Sequence, residues 1–140
     1  MALATFIPQT NYPNFRGLTY PTRTPATLST AGALTYTAAQ VLGGLILRDP
    51  NGGARADLLP TAAQIIAAMP SPVAGSSFEF EVRNTADAAE AITITTNTGL
   101  TLSGTMTIAQ NNQKRFIAVV TTVTAGSEAV TVYSCGTVVF

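Results

Sequence analysis

FEFEVR, residues 78–83, alternates apolar and charged side chains without a break, so Phe78, Phe80 and Val82 fall on one face of an extended chain. The pattern recurs outward from there. ITIT at 92–95 and LTLSGTMTI at 100–108 alternate with Thr in place of charge. NNQKR at 111–115 reads as a polar turn, FIAVVTTV at 116–123 as a strand, and AGSE at 125–128 as a second turn before AVTVYS and TVVF. Short strands separated by turn signals at such intervals predict a sandwich or barrel. The fully apolar Phe116–Val120 predicts a central strand buried on both sides. The expected fold is an all-β, antiparallel, jelly-roll-like β-sandwich over residues 35–140, with one short helix and an extended N-terminal arm over residues 1–34. Its expected core comprises Ile46, Ile65, Phe78, Phe80, Val82, Ile92, Ile94, Ile108, Phe116, Val119, Val132 and Tyr133.

Composition points the same way. Only 10% of the 140 residues are charged, seven basic against seven acidic, while 46% are hydrophobic. Thr fills the places that charges usually take, and a β-branched hydroxyl residue suits a half-wet pleated surface. A balanced, charge-poor chain lacks the Lys/Arg excess that phosphate binding draws on, which argues against a nucleic-acid partner. No apolar run approaches the ~18 residues of a membrane-spanning helix, and MALATFIPQTNYP lacks the basic-then-apolar order of a secretory leader. Cys135 is the single cysteine, so no internal disulfide can form; its strand-like neighbours place it as a small core residue.

The first thirty residues break the pattern. All eight prolines lie at or before Pro72, four of them in this stretch, and proline both removes a donor and biases its predecessor to extended backbone. Aromatic residues recur here, unlike in disordered tails. An extended segment of this length, at ~3.3 Å per residue, reaches about 100 Å, beyond the radius of its own domain. It therefore reads as a strap lying on its own body, a neighbouring subunit or a larger surface. Its candidate contact residues are Phe6, Tyr12, Phe15, Arg16, Tyr20 and Arg23.

TAAQ occurs twice, at 37–40 and 61–64, and each copy fits a capping box in which Thr accepts from the backbone three residues on and Gln reaches back. Pro70 stops the second helix after two to three turns, giving a helix over 61–69. Gly43-Gly44 stops the first after one turn at most. Between them, Gly44–Arg48 reads as a strand and Asp49–Gly52 as a turn. Asn51-Gly52-Gly53 lacks the Lys of a phosphate-binding loop and the parallel unit of a dinucleotide site. Arg48, Asp49, Arg55 and Asp57 read as charge pairs bracketing the turn, worth little if exposed.

Candidate chemistry is sparse. The chain has no His, which removes the commonest general base and metal ligand. Glu79 and Glu81 share a strand face ~7 Å apart, near glycosidase spacing, but their alternation with Phe78, Phe80 and Val82 makes them the solvated or interface face of a strand. Asp87 and Glu90 supply too few oxygens for a Ca²⁺ loop. The expectation is a protein that is not an enzyme and carries no catalytic, cofactor or metal site and no small-molecule substrate. A nucleophile at the chain's start or a site shared between chains would escape this argument.

TAAQVLGGLILRDPNGG, DLLPTAAQIIAAMPSPVAGSSFEFEVRNTAD and TLSGTMTIAQNNQKRFIAVVTTVTAGSEAVTVYS together resemble capsid decoration (cement) proteins of tailed phages and related aquatic viruses. The resemblance covers about residues 34–137, with SGTMTIAQNNQKRF and GSEAVTVYS its most specific segments; the arm has no counterpart. It implies a compact β-sandwich, a homotrimer, seated on an icosahedral shell and bridging subunits of the major capsid protein. The expected location is the outer capsid surface of a virion, after synthesis in the host cytoplasm. A receptor- or carbohydrate-binding module at a tail or fibre tip is the alternative.

Overall fold

A computed structural model describes residues 22–140 of the chain. In order, its elements are β1 (Ala26–Leu28), α1 (Ala38–Leu42), β2 (Leu45–Arg48), β3 (Arg55–Leu58), α2 (Ala62–Ala68), β4 (Ser77–Asn84), β5 (Ile92–Thr95), β6 (Leu100–Ser103), β7 (Thr107–Ile108), β8 (Asn112–Thr122) and β9 (Ala129–Val139). They form an all-β sandwich. A six-stranded sheet ordered β1-β2-β4-β8-β9-β6 is joined by a three-stranded sheet ordered β3-β5-β7. Both TAAQ segments form complete capping boxes, so two short helices close the fold where the sequence reading gave one full helix and a turn.

The wiring departs from the expected antiparallel, jelly-roll-like scheme. Four of the seven pairings among the described strands are parallel: β1–β2, β2–β4, β3–β5 and β6–β9. Parallel neighbours need crossover connections, and here α1 supplies the one between β1 and β2 while the others are made by moving between sheets. β2 and β4 are neighbours, but the chain between them visits β3 in the other sheet and α2. Alternation fixes which side chains face inward and is silent on strand direction.

The core lies between the sheets. Ile46, Phe80, Val82, Phe116, Ala118, Val130 and Val132 of the large sheet are buried with Ile92, Ile94 and Ile108 of the small one. Phe80 and Phe116, directly paired across β4 and β8, stack with ring centroids 5.0 Å apart, a geometry that contributes about 0.5–1.5 kcal/mol beyond area burial. Ile65 of α2 is buried too. Phe78 and Val119 are only half-buried, and Phe116–Val120 is central but shielded fully on its inner side alone. At Gly99 (φ +79°) an added Cβ would sit 2.5 Å from the Glu128 carbonyl oxygen and 2.7 Å from the Ala62 Cβ. Only glycine allows α2 and the turn before β9 to close on the start of β6.

The charged residues of the 48–57 turn behave differently from the exposed pairs expected of them. Arg48 and Asp57 are both 0% exposed, on strands of opposite sheets, with Nε of Arg48 donating to Oδ2 of Asp57 at 2.8 Å. All five guanidinium N–H donors are used. Besides Nε, Nη2 reaches Asp57 Oδ1 at 3.4 Å and the Gly32 carbonyl at 2.6 Å, while Nη1 reaches the carbonyls of Thr30 and Asp49 at 2.8 and 2.5 Å. Asp57 also accepts from the Leu34 amide at 2.9 Å and from the Tyr36 hydroxyl at 2.8 Å. Every polar group is answered, which a buried ion pair requires to break even. The β-period placed Arg48 on the Ile46 face; the sequence reading did not follow that face inward.

Three further corrections share this root. NNQKR is not a turn: Asn111 alone takes the turn (φ +60°), and β8 starts at Asn112. Lys114 then points inward, its Nζ donating to the Thr105 and Thr107 carbonyls at 2.7 and 2.8 Å, and burial pushes its ammonium below the ordinary lysine range. Tyr133, expected in the core, is on the opposite face of β9 and exposed. Cys135 is likewise half-exposed, not a core residue. The described part of the arm is folded against its own body, with β1 as the edge strand and residues 30–34 tied to Arg48 and Asp57.

Breaking the buried pair by Arg48→Met or Asp57→Asn is expected to lower stability by about 3–5 kcal/mol, because one charge or its donors stay buried and unanswered. Urea unfolding checks this. Burial first, then the Asp57 carboxylate, holds the Tyr36 phenol well above its ordinary range. Above pH ~10 the unfolded chain loses that proton while the folded chain keeps it, so stability falls as pH rises, by about 1.4 kcal/mol per unit. Tyr36→Phe should start about 1–3 kcal/mol less stable at neutral pH and lose that part of the alkaline slope, as thermal melts between pH 8 and 11 will read.

Candidate functional site

Among the described residues no group of three His, Cys, Asp or Glu side chains could hold a metal ion, and most buried polar groups are consumed by the fold, Arg55 Nε and Glu90 Oε2 excepted. Asn84 is one such cluster: its side-chain amide donates to the Glu90 and Ile108 carbonyls and accepts from the Ala86 amide. What remains is surface, and the outer face of the six-stranded sheet is its most distinctive part.

The FEFEVR alternation sends Glu79, Glu81 and Arg83 to this face. The two glutamates do not act as a pair. Glu79 lies 3.8 Å from Arg115, both about half exposed, an ion pair of little net energy. Glu81 receives Gln113 Nε2 and, at 3.4 Å, Arg23 Nη2. Arg23 also donates through Nη1 to the Gly44 carbonyl. Of the candidate contact residues, Arg23 is thus placed on the outer face, spanning β2 to reach β4; Phe6, Tyr12, Phe15, Arg16 and Tyr20 lie outside the described residues. An open hollow of about 280 Å³, lined by Glu81, Gln113, Arg115, Cys135 and Val138 among others, continues from there to β9. A second, of about 560 Å³, sits between the alanine faces of α1 and α2.

β9 ends on apolar side chains turned to solvent: Tyr133 is 44% exposed, Val138 67%, Val139 73% and Phe140 46%. Tyr133 faces outward by plain alternation with Val132; for Val138 the cause is a bulge. Phe116 faces Ser134 and Lys114 faces Thr137, so Cys135 and Gly136 together oppose Arg115, with Gly136 at φ +101°. The alternation then slips by one residue, and Val138 lands on the outer face with Gln113. The Arg83 guanidinium lies 3.5 Å from the Phe140 ring centroid and covers one side of it. Sequence reasoning missed this corner; the signal available was Gly136 inside a strand pattern, which marks a bulge.

The backbone is uncovered too. β6 pairs with β9 only from Val130 to Tyr133. Beyond Ser134 no described strand lies on that side, so Gly136–Val139 forms a free sheet edge. Compared with protein-family models, with curated proteins and with solved structures, the chain has no match in any of the three.

Replacing both Val138 and Val139 by Ser is expected to leave stability within about 0.5 kcal/mol. Val132→Ser on the buried face of the same strand should cost at least about 2 kcal/mol. Denaturant titrations of the two proteins check that the core holds Val132 and leaves the end of β9 to solvent.

Proposed function

We propose that the protein is a structural virion component, a decoration protein that works in several copies on an assembled icosahedral shell and bridges subunits of the major capsid protein. The observation that carries this reading is the uncovered outer face of the large sheet with its exposed Val138 and Phe140, together with the free β9 edge, where Val139 is exposed on the other side of the strand. Apolar patches and open edges of this kind mark interaction surfaces. The buried Arg48, Asp57 and Tyr36 group is spent inside the fold, which suits a scaffold better than a site of turnover. The resemblance of residues 34–137 to cement proteins supports the same reading and supplies the trimer. The aromatic segment ahead of Thr22 then serves as the strap, and three symmetric copies convert modest contacts into durable attachment.

Full-length protein is expected to scatter light as a trimer of about 43 kDa, three chains of 14.5 kDa, and to stay on purified shells through washing. Removing residues 1–21, which leaves β1 and the Arg48 network whole, should release it from shells. Retention unchanged by that deletion overturns the strap. Glycan binding by the full chain without shell retention replaces the proposal with a receptor-binding module.

A further inference from the structure

We infer that the free edge of β9 at Gly136–Val139 is the receiving site for the N-terminal segment of a second copy of this chain, which adds to the large sheet there as a β-strand. The inference deepens the multi-copy reading above and rests on it.

The edge has the chemistry for strand addition. The Phe140 amide donates to the Asn111 carbonyl across the β8 side. In an antiparallel ladder successive residues alternate their N–H and C=O groups between the two sides. Val139 and Thr137 therefore aim theirs away from β8, at the side that β6 leaves empty. Backbone groups supply the affinity in such additions, and adjacent apolar side chains supply the rest; Val138 and Val139 provide these.

Strand directions decide which chain fills it. β1, β2 and β4 run parallel, β8 runs against β4, and β9 runs against β8, so β9 points the same way as β1. Ala26, Ile46, Val82, Lys114 and Thr137 share one row across the sheet. Moving upstream from Ala26, the chain thus recedes from the Val139 end of β9; at Arg23 it is already about 10 Å behind that row. Serving its own edge would demand a reversal and a crossing of the β2, β4 and β8 strands.

The occupant follows from the sequence ahead of Thr22. Ala2-Leu3-Ala4-Thr5-Phe6-Ile7 has no proline, glycine or charge, and it precedes Pro8. The sixteen residues from Ile7 to Thr22 extend to about 50 Å, more than the ~35 Å breadth of a body this size. That span reaches a neighbour. A head-to-tail contact of this kind closes into a ring when the copies are related by a cyclic rotation.

The test uses the chain's own cysteine. A donor carrying Thr5→Cys and Cys135→Ser is coexpressed, full length, with a size-tagged wild-type acceptor, and treated with a short bis-maleimide. The expected product is a donor–acceptor conjugate joining position 5 to Cys135. In the acceptor, Val139→Pro removes an N–H that β8 does not use, a change tolerated on an edge strand. It should keep the thermal midpoint and lower the conjugate yield about tenfold, the equivalent of one lost hydrogen bond. A Thr5→Cys chain that instead closes on its own Cys135 overturns the inference in favour of self-docking. A trimer by light scattering with no conjugate overturns strand addition and leaves the multi-copy reading standing. A monomer that neither conjugates nor binds shells overturns both.

Discussion

The ion pair between Arg48 and Asp57 is the constraint on which the rest of the structure depends. It is the one ion pair between described strands of the two sheets, which also meet through apolar side chains and through the Lys114 and Asn84 bonds to β7 carbonyls. It also fastens the irregular segment from Thr30 to Tyr36, which has little backbone pairing of its own, through two carbonyls, one amide and one phenol. Burying two charges costs several kcal/mol each before pairing, so the geometry must be near complete to repay it. Such a pair adds specificity of register: a one-residue slip of β2 or β3 would strand a full charge in the core.

With the interior settled in this way, the surfaces divide into two kinds. The inner faces are occupied, and the Arg48, Asp57 and Lys114 charges are answered there, the Lys114 ammonium by two carbonyls; Arg55 Nε and Glu90 Oε2 are buried without a partner. The outer face of the large sheet carries weak ion pairs, shallow relief and an apolar corner. A protein whose polar investment is internal and whose open surface is broad and lightly charged is suited to lying against another large surface.

The sequence made much of this legible because the β-period is a local property. FEFEVR and ITIT named their inward residues correctly, and both capping boxes formed as read. Strand direction was not legible, since parallel and antiparallel neighbours impose the same alternation on each strand. Charge suggests exposure, but Arg48 and Lys114 sit in phase with Ile46 and Phe116, and phase is the better guide. Tyr133 follows buried Val132 directly and so falls on the opposite face by the same phase, whereas Cys135 lies in the bulge, where two residues stand against one. Of the candidate site, Arg23 could be placed, but the exposed end of β9 follows from that bulge and from the short reach of β6.

The sheet order also dictates when the molecule can close. β6 joins the large sheet only through β9, although it is made some thirty residues earlier. During synthesis Leu100 and Leu102 therefore wait without their sheet partner, and β8 waits with one edge bare, until the last strand slides between them. Non-local parallel pairing of this kind is slow and leaves apolar edges open meanwhile. A chain interrupted near Glu128 would lose two strands of the sheet instead of one, so closure of the large sheet waits on β9.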